Sequence, residues 1–135
     1  MGEIAMRGEK HLTKPQQYAL VYSDGSSWAS GLLVMKTLPN GLTLSRYGFS
    51  VSKRVGKAVT RNRVKRLLRE ILRVTPLKLG WDIVFIVRPR AAKADYAGLK
   101  KAAEGLLSWA GLLENNEEND MLAKVKTGST GKIII

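Results

Sequence analysis

The sequence predicts an α+β domain, a small mixed sheet packed with three helices in the order α-β-β-(β)-α-β-α. Three observations predict it. Between Arg46 and Arg73 a strand-like alternation passes through a basic turn into a helical apolar stripe. Asp82 to Arg88 is apolar on both faces, as expected of a buried strand paired in parallel. Near each end of this region, Thr13 and Asp95 open segments with helix-start signals.

Residues 1–10 show no periodicity and read as a mobile N-terminal arm, leaving 11–113 as one domain. Thr13 and Gln16 make a capping-box pattern with Pro15 tolerated in the first turn, so a short helix is predicted over about 13–22. It puts Tyr18 and Tyr22 on one face beside Val21, a spacing that suits either a core or a ligand platform. Asp24-Gly25 closes the helix. Trp28 to Leu38 reads as strand, Pro39-Asn40-Gly41 as a hairpin turn and Leu42 to Val51 as the return strand. In that return strand Tyr47, Phe49 and Val51 alternate with Gly48, Ser50 and Ser52. One face is packed; the other lets something approach closely.

A basic turn (Lys53, Arg54, Gly56, Lys57) leads into the central helix. There Val64, Leu67, Leu68, Ile71 and Leu72 form one apolar stripe, while Asn62, Arg66, Arg69 and Arg73 fall opposite it and Arg63 and Lys65 on its flanks. From Arg46 to Arg73 there are ten Lys or Arg and one acid, Glu70, whereas the whole chain has a formal charge of +12. Self-repulsion on such a helix is uncompensated without a partner. A patch this concentrated points to a polyanion, with nucleic acid the default.

Thr75-Pro76 and Leu79-Gly80 make a loop, and Pro89 ends the following strand. Asp95 caps a last helix with Tyr96, Leu99, Ala103, Leu106, Leu107, Ala110 and Leu113 on one side. Its three glycines make it dependent on packing. Residues 114–135 are polar and aperiodic with an apolar tip, and read as a disordered tail. There are no internal repeats.

Composition excludes several classes. With no cysteine among 135 residues there is no disulfide framework, thiolate metal site or Cys nucleophile. The N-terminus lacks the apolar segment of a signal peptide, and the longest apolar run, Ile83 to Val87, is too short to span a bilayer. A soluble, cytoplasmic protein is expected. A protein-only nuclease needs convergent carboxylates or a His, Lys or Arg constellation. Here the one histidine is His11 and the acids are scattered, so no catalytic side chain and no protein metal site is expected. Gly56-Lys57 is not a phosphate loop, because the required upstream glycine is Val51.

The run Arg61, Asn62, Arg63, Lys65, Arg66, Leu67, Leu68, Arg69 and Glu70, preceded by Gly48-Phe49-Ser50-Val51-Ser52-Lys53-Arg54, resembles the signature of the protein subunit of bacterial ribonuclease P. The resemblance extends less sharply over about residues 10–113. It implies a protein that binds a catalytic RNA subunit and the 5′ leader of precursor tRNA, promoting endonucleolytic 5′ maturation. It implies that the RNA carries the hydrolytic chemistry with Mg²⁺ held mainly by RNA. It further implies a left-handed crossover between two parallel strands, an exception to the usual hand. RNA contacts are implied at Lys53, Arg54, Lys57, Arg61, Asn62, Arg63, Lys65, Arg66 and Arg69. Leader contacts are implied at Tyr18 and Tyr22, with Tyr18 the more exposed, and at Lys36, where the family often has tyrosine. Neither DNA nor a membrane is an expected partner; the alternative reading is a ribosomal-protein-like structural RNA binder.

Overall fold

A computed structural model describes residues 11–114; the predicted arm and positions 115–135 of the predicted tail lie outside the described residues. The elements are α1 (Pro15–Asp24), β1 (Ser26–Ala29), β2 (Leu33–Pro39), β3 (Arg46–Ser50), α2 (Ala58–Arg73), β4 (Trp81–Val87), a 3-10 turn (Pro89–Lys93) and α3 (Tyr96–Ala110). The predicted class and order hold, with the bracketed third strand present. The helices start for local reasons. Gln17 Oε1, not Gln16, accepts from the backbone N–H groups of Thr13 and Lys14 at 2.9 and 3.1 Å, so α1 starts later than predicted. Asp95 caps α3 by accepting from Gly98 N–H at 2.8 Å, and Gly111 ends it with a left-handed φ of 76°.

The sheet order is β1-β2-β4-β3, which corrects the predicted hairpin. The segment 28–38 is not one strand: it turns at Ser30–Leu32, and β1 pairs antiparallel with β2 from Ser26↔Thr37 to Ala29↔Val34. Beyond β2 the chain does not fold back on it at Asn40. It passes over the end of β4 to that strand's far side, where β3 pairs in parallel from Arg46↔Asp82 to Ser50↔Ile86. β2 takes the other edge of β4, antiparallel, from Leu33↔Val87 to Pro39↔Trp81. β3 is shorter than the predicted 42–51, because residues 40–45 are spent on that passage.

β4 holds the centre because it is apolar on both sides. Ile83, Phe85 and Val87 join Leu33, Met35 and Tyr47 in a core capped by Val64, Leu68, Ile71 and Leu72 of α2 and by Leu99, Leu106 and Leu107 of α3. Val84 faces the other way, into a smaller cluster with Leu12 and Val21 under α1. The molecule is thus three-layered where α1 lies. At the passage between β2 and β3, Asp82 accepts from Arg46 Nε and Nη2 at 2.8 and 2.7 Å and from Asn40 Nδ2 at 2.9 Å. Asn40, taken from sequence as a hairpin residue, is instead a tether to the central strand. Glu114, the residue after the predicted boundary, donates its N–H to Pro76 C=O at 2.8 Å. Among the described residues no helix is long and apolar enough to cross a membrane.

The side chains of Asp82 and Arg46 are 7% and 20% exposed, so solvent screens this pair little. Asp82→Ala should cost about 3 kcal/mol, at the low end for one lost partner of a buried pair. Urea denaturation measures it. A loss below about 0.5 kcal/mol would place the pair with ordinary surface ion pairs.

Candidate nucleic-acid interface

The face of the sheet under α1 mixes small and polar side chains with three branched aliphatic ones, in two rows that follow from the register. Ser27, Lys36, Val84 and Gly48 form one; Ala29, Val34, Ile86 and Ser50 form the next. Val84 lies under α1, whereas Val34, Ile86 and Ser50 are only half-buried and floor an open shelf. The sequence missed Val34 and Ile86, because nothing in their strands says which face stays uncovered. Ser50 was visible in the small-residue alternation. That alternation has a specific use at Gly48, where any Cβ would overlap the Tyr18 phenol oxygen. The thing that approaches closely is Tyr18 itself.

Tyr18 is half-buried over Gly48 and donates to Leu12 C=O at 3.3 Å. Tyr22, its ring centroid 6.4 Å away, is 39% exposed. The expected order of exposure is therefore reversed, since Tyr18 points at the strand while Tyr22 sits a turn further along. Burial and then the Tyr22 phenol raise the Tyr18 pKa, while a hydrogen bond with the Phe49 backbone lowers it. Lys36 is half-buried in the same row as Gly48, two strands across or about 10 Å.

The basic helix packs on the opposite face but reaches the same place, because β3 is an edge strand. A cleft of about 400 Å³ lies along that edge, with Tyr18, Gly48 and Phe49 on one side and Lys65 and Arg69 on the other. Its third boundary is the segment before α1, where Leu12 N–H donates to Tyr47 C=O at 2.9 Å and His11 meets the Tyr47 ring edge-on at 4.9 Å. Burial raises the Tyr47 pKa, against which the charges of Arg69 and then Arg73 act. The aromatic wall and the cationic wall were separate in the sequence; here they face one another.

The other predicted contacts divide by position. Lys53, Arg54, Lys57, Asn62, Arg66 and Arg69 are exposed. Arg61 and Arg63 are partly committed to the fold. Arg61 Nε closes the basic turn on Gly56 C=O at 3.1 Å, and Arg63 Nη2 ties α2 to the 3-10 turn through Ala92 and Ala94 carbonyls at 2.9 and 3.1 Å. Among the described residues no carboxylate pairs with a cation of α2, and the ion pairs are Arg46–Asp82 and Lys100–Glu104. Among the described residues no carboxylate lines the cleft, so the donors it shows suit phosphates and bases. A phosphate can sit between Lys65 and Arg69 while a base meets a tyrosine face, a contact worth about 1–3 kcal/mol.

Known proteins resemble this chain along most of its length. A sequence model of the family described as Ribonuclease P matches residues 6–111. The ribonuclease P protein component of Dehalococcoides mccartyi strain CBDB1 is 50% identical over 113 residues, covering 84% of this chain and 94% of that protein. The component from Caldanaerobacter subterraneus subsp. tengcongensis is 46% identical over 108 residues, covering 78% and 93%. Among solved structures, a Staphylococcus aureus RNase P protein mutant with defective mRNA degradation activity superposes with a TM-score of 0.76 at 30% identity, covering 82% of this chain and 96% of that one. The RNase P protein from Thermotoga maritima gives 0.65 at 31% identity, covering 72% and 94%.

Arg66 and Arg69 are exposed, and among the described residues neither makes an ion pair. Replacing both with Ala should weaken RNA binding and leave the melting temperature nearly unchanged. If each meets one phosphate, the log–log salt dependence of binding should flatten by about 1.4, at roughly 0.7 per single-strand contact. An unchanged slope with a lower melting temperature would make both residues structural.

Proposed function

The chain belongs to the ribonuclease P protein family, and from that membership we propose how it acts. It is the protein component of a ribonucleoprotein endoribonuclease that matures the 5′ end of tRNA. It binds a catalytic RNA subunit through the exposed cations of α2 and the preceding turn, and holds the 5′ leader of precursor tRNA in the cleft beside β3. The observation that carries this reading is the meeting of Tyr18 with Lys65 and Arg69 across the edge of β3. One wall offers a π-face and the other offers charge, which is what an unpaired strand presents to be held.

The protein's part is to bind and orient. Three of its described acids serve the fold: Asp82 pairs with Arg46, Asp95 caps a helix and Glu104 pairs with Lys100. On this reading bond cleavage belongs to the RNA subunit, with Mg²⁺ held mainly by RNA. Holding the leader along a cationic groove lowers the repulsion between substrate and RNA subunit, so less Mg²⁺ is needed to bring them together. Lys36 lies in the same row as Gly48, two strands from it, and supplies charge where relatives often supply a ring.

Two outcomes follow. RNA-free protein should not cleave precursor tRNA, whereas adding it to the RNA subunit should lower the Mg²⁺ requirement; cleavage by protein that survives ribonuclease treatment would refute the division of labour. Tyr18→Ala should weaken precursor binding by about 1–3 kcal/mol and barely change the binding of mature tRNA, and Tyr18→Phe should keep most of the affinity. Equal losses for precursor and mature tRNA would return Tyr18 to a packing role.

A further inference from the structure

The cleft that holds Tyr18 does not stop at Arg69. A second chamber of about 730 Å³ opens beyond it, between the edge of β3, the last turn of α2 and the loop that follows. The two chambers share His11, Tyr47 and Arg69, which makes them successive parts of one groove. Their walls differ. The second is lined by Leu44, Leu72, Leu77 and Leu79, with Arg69 and Arg73 beside them. Leu79 is 68% exposed and Val74 62%, so large apolar side chains stand open to water next to two arginines. Exposed apolar groups gathered round a concavity mark a place that another group covers.

The cations indicate which group. Lys65, Arg69 and Arg73 stand at i, i+4 and i+8, so their attachment points climb α2 about 6 Å at a time. Lys65 and Arg69 line the first chamber; Arg69 and Arg73 line the second. A ladder of cations along a groove fits a chain with a negative charge at every link. An apolar chamber beside that ladder fits a flat group hanging from the chain.

We propose that the second chamber receives an unstacked base from the leader of precursor tRNA, upstream of the part held over Gly48, with Arg73 meeting the adjoining phosphate. This rests on the leader reading given above. A leader base is favoured over one from the RNA subunit because the chamber continues the Tyr18 cleft, whereas Asn62 and Arg66 line neither chamber. Every base has an apolar face, so the contact is tolerant of leader sequence.

The test uses the reconstituted ribonucleoprotein and precursors whose leaders lengthen one nucleotide at a time, with wild-type, Leu79→Glu, Arg73→Ala and Tyr18→Ala protein. Leu79 is exposed, so a carboxylate there repels RNA without disturbing the core, and the melting temperature verifies this. Wild-type affinity should rise by about tenfold at one leader length, within the range of a single base contact. Leu79→Glu should remove that step and leave shorter leaders bound as before, and Arg73→Ala should shrink the step relative to the affinity for shorter leaders. A photoreactive thiouridine at the leader position of the step should crosslink to residues 74–79. The inference is overturned if wild-type protein shows no step, if the step survives Leu79→Glu, if that variant weakens every leader length alike, or if the RNA subunit crosslinks there instead of the leader. In each case the first cleft stands as long as Tyr18→Ala still separates precursor from mature tRNA. Loss of that separation would remove the leader reading and this inference together.

Discussion

Everything in this molecule depends on β4 being buried on both faces. A strand with Ile83, Phe85 and Val87 on one side and Val84 and Ile86 on the other must be covered twice, and its hydrogen bonds must be met at both edges. α2 and α3 cover the first side and α1 part of the second. β2 and β3 take the two edges. This arrangement puts β3 at the rim of the sheet, within reach of helices on both faces. The cleft exists because a tyrosine helix and an arginine helix, kept apart by the sheet elsewhere, meet at its edge.

The basic helix is a compromise between two demands. Its apolar stripe supplies Val64, Leu68, Ile71 and Leu72 to the core, and that burial holds in place a row of cations that repel one another. Ion pairs would relieve the repulsion, but among the described residues the ion pairs lie elsewhere: Asp82 tethers the β2–β3 passage and Glu104 meets Lys100 on α3. With Glu70 the one acid on α2, the field of the helix stays available for a polyanion, and the core absorbs the cost. Arg61 and Arg63 show that charge can also serve the fold, each turning a guanidinium onto backbone carbonyls at the borders of the helix.

Gly48 links fold to function most tightly. It lets the Tyr18 ring lie against β3, which orients one aromatic wall of the cleft and leaves Tyr22 further out. In the sequence it appears only as one small residue in an alternating strand. The alternation revealed that one face of β3 is kept clear, but the occupant lies thirty residues earlier. Exposure at Tyr18 and Tyr22 was misjudged for the same reason: helical spacing reports which residues share a face and says nothing about how far each leans toward a neighbour.

What the sequence determined by itself was whatever is written within one element. The helices, the apolar stripe of α2 and the cations opposite it, the double-sided strand and the signature run Arg61 to Glu70 were all legible, because periodicity and local charge are properties of adjacent residues. The family followed from that run. What only tertiary structure decided was pairing across distance. Pro39-Asn40-Gly41 has the local chemistry of a hairpin, yet β3 crosses to the far side of β4, because a strand apolar on both faces is satisfied only between two partners. Local turn preference is worth little beside the burial of a central strand. The cleft is a product of that choice: its walls come from α1, β3 and α2, and its position is fixed by which edge of β4 was left for β3 to fill.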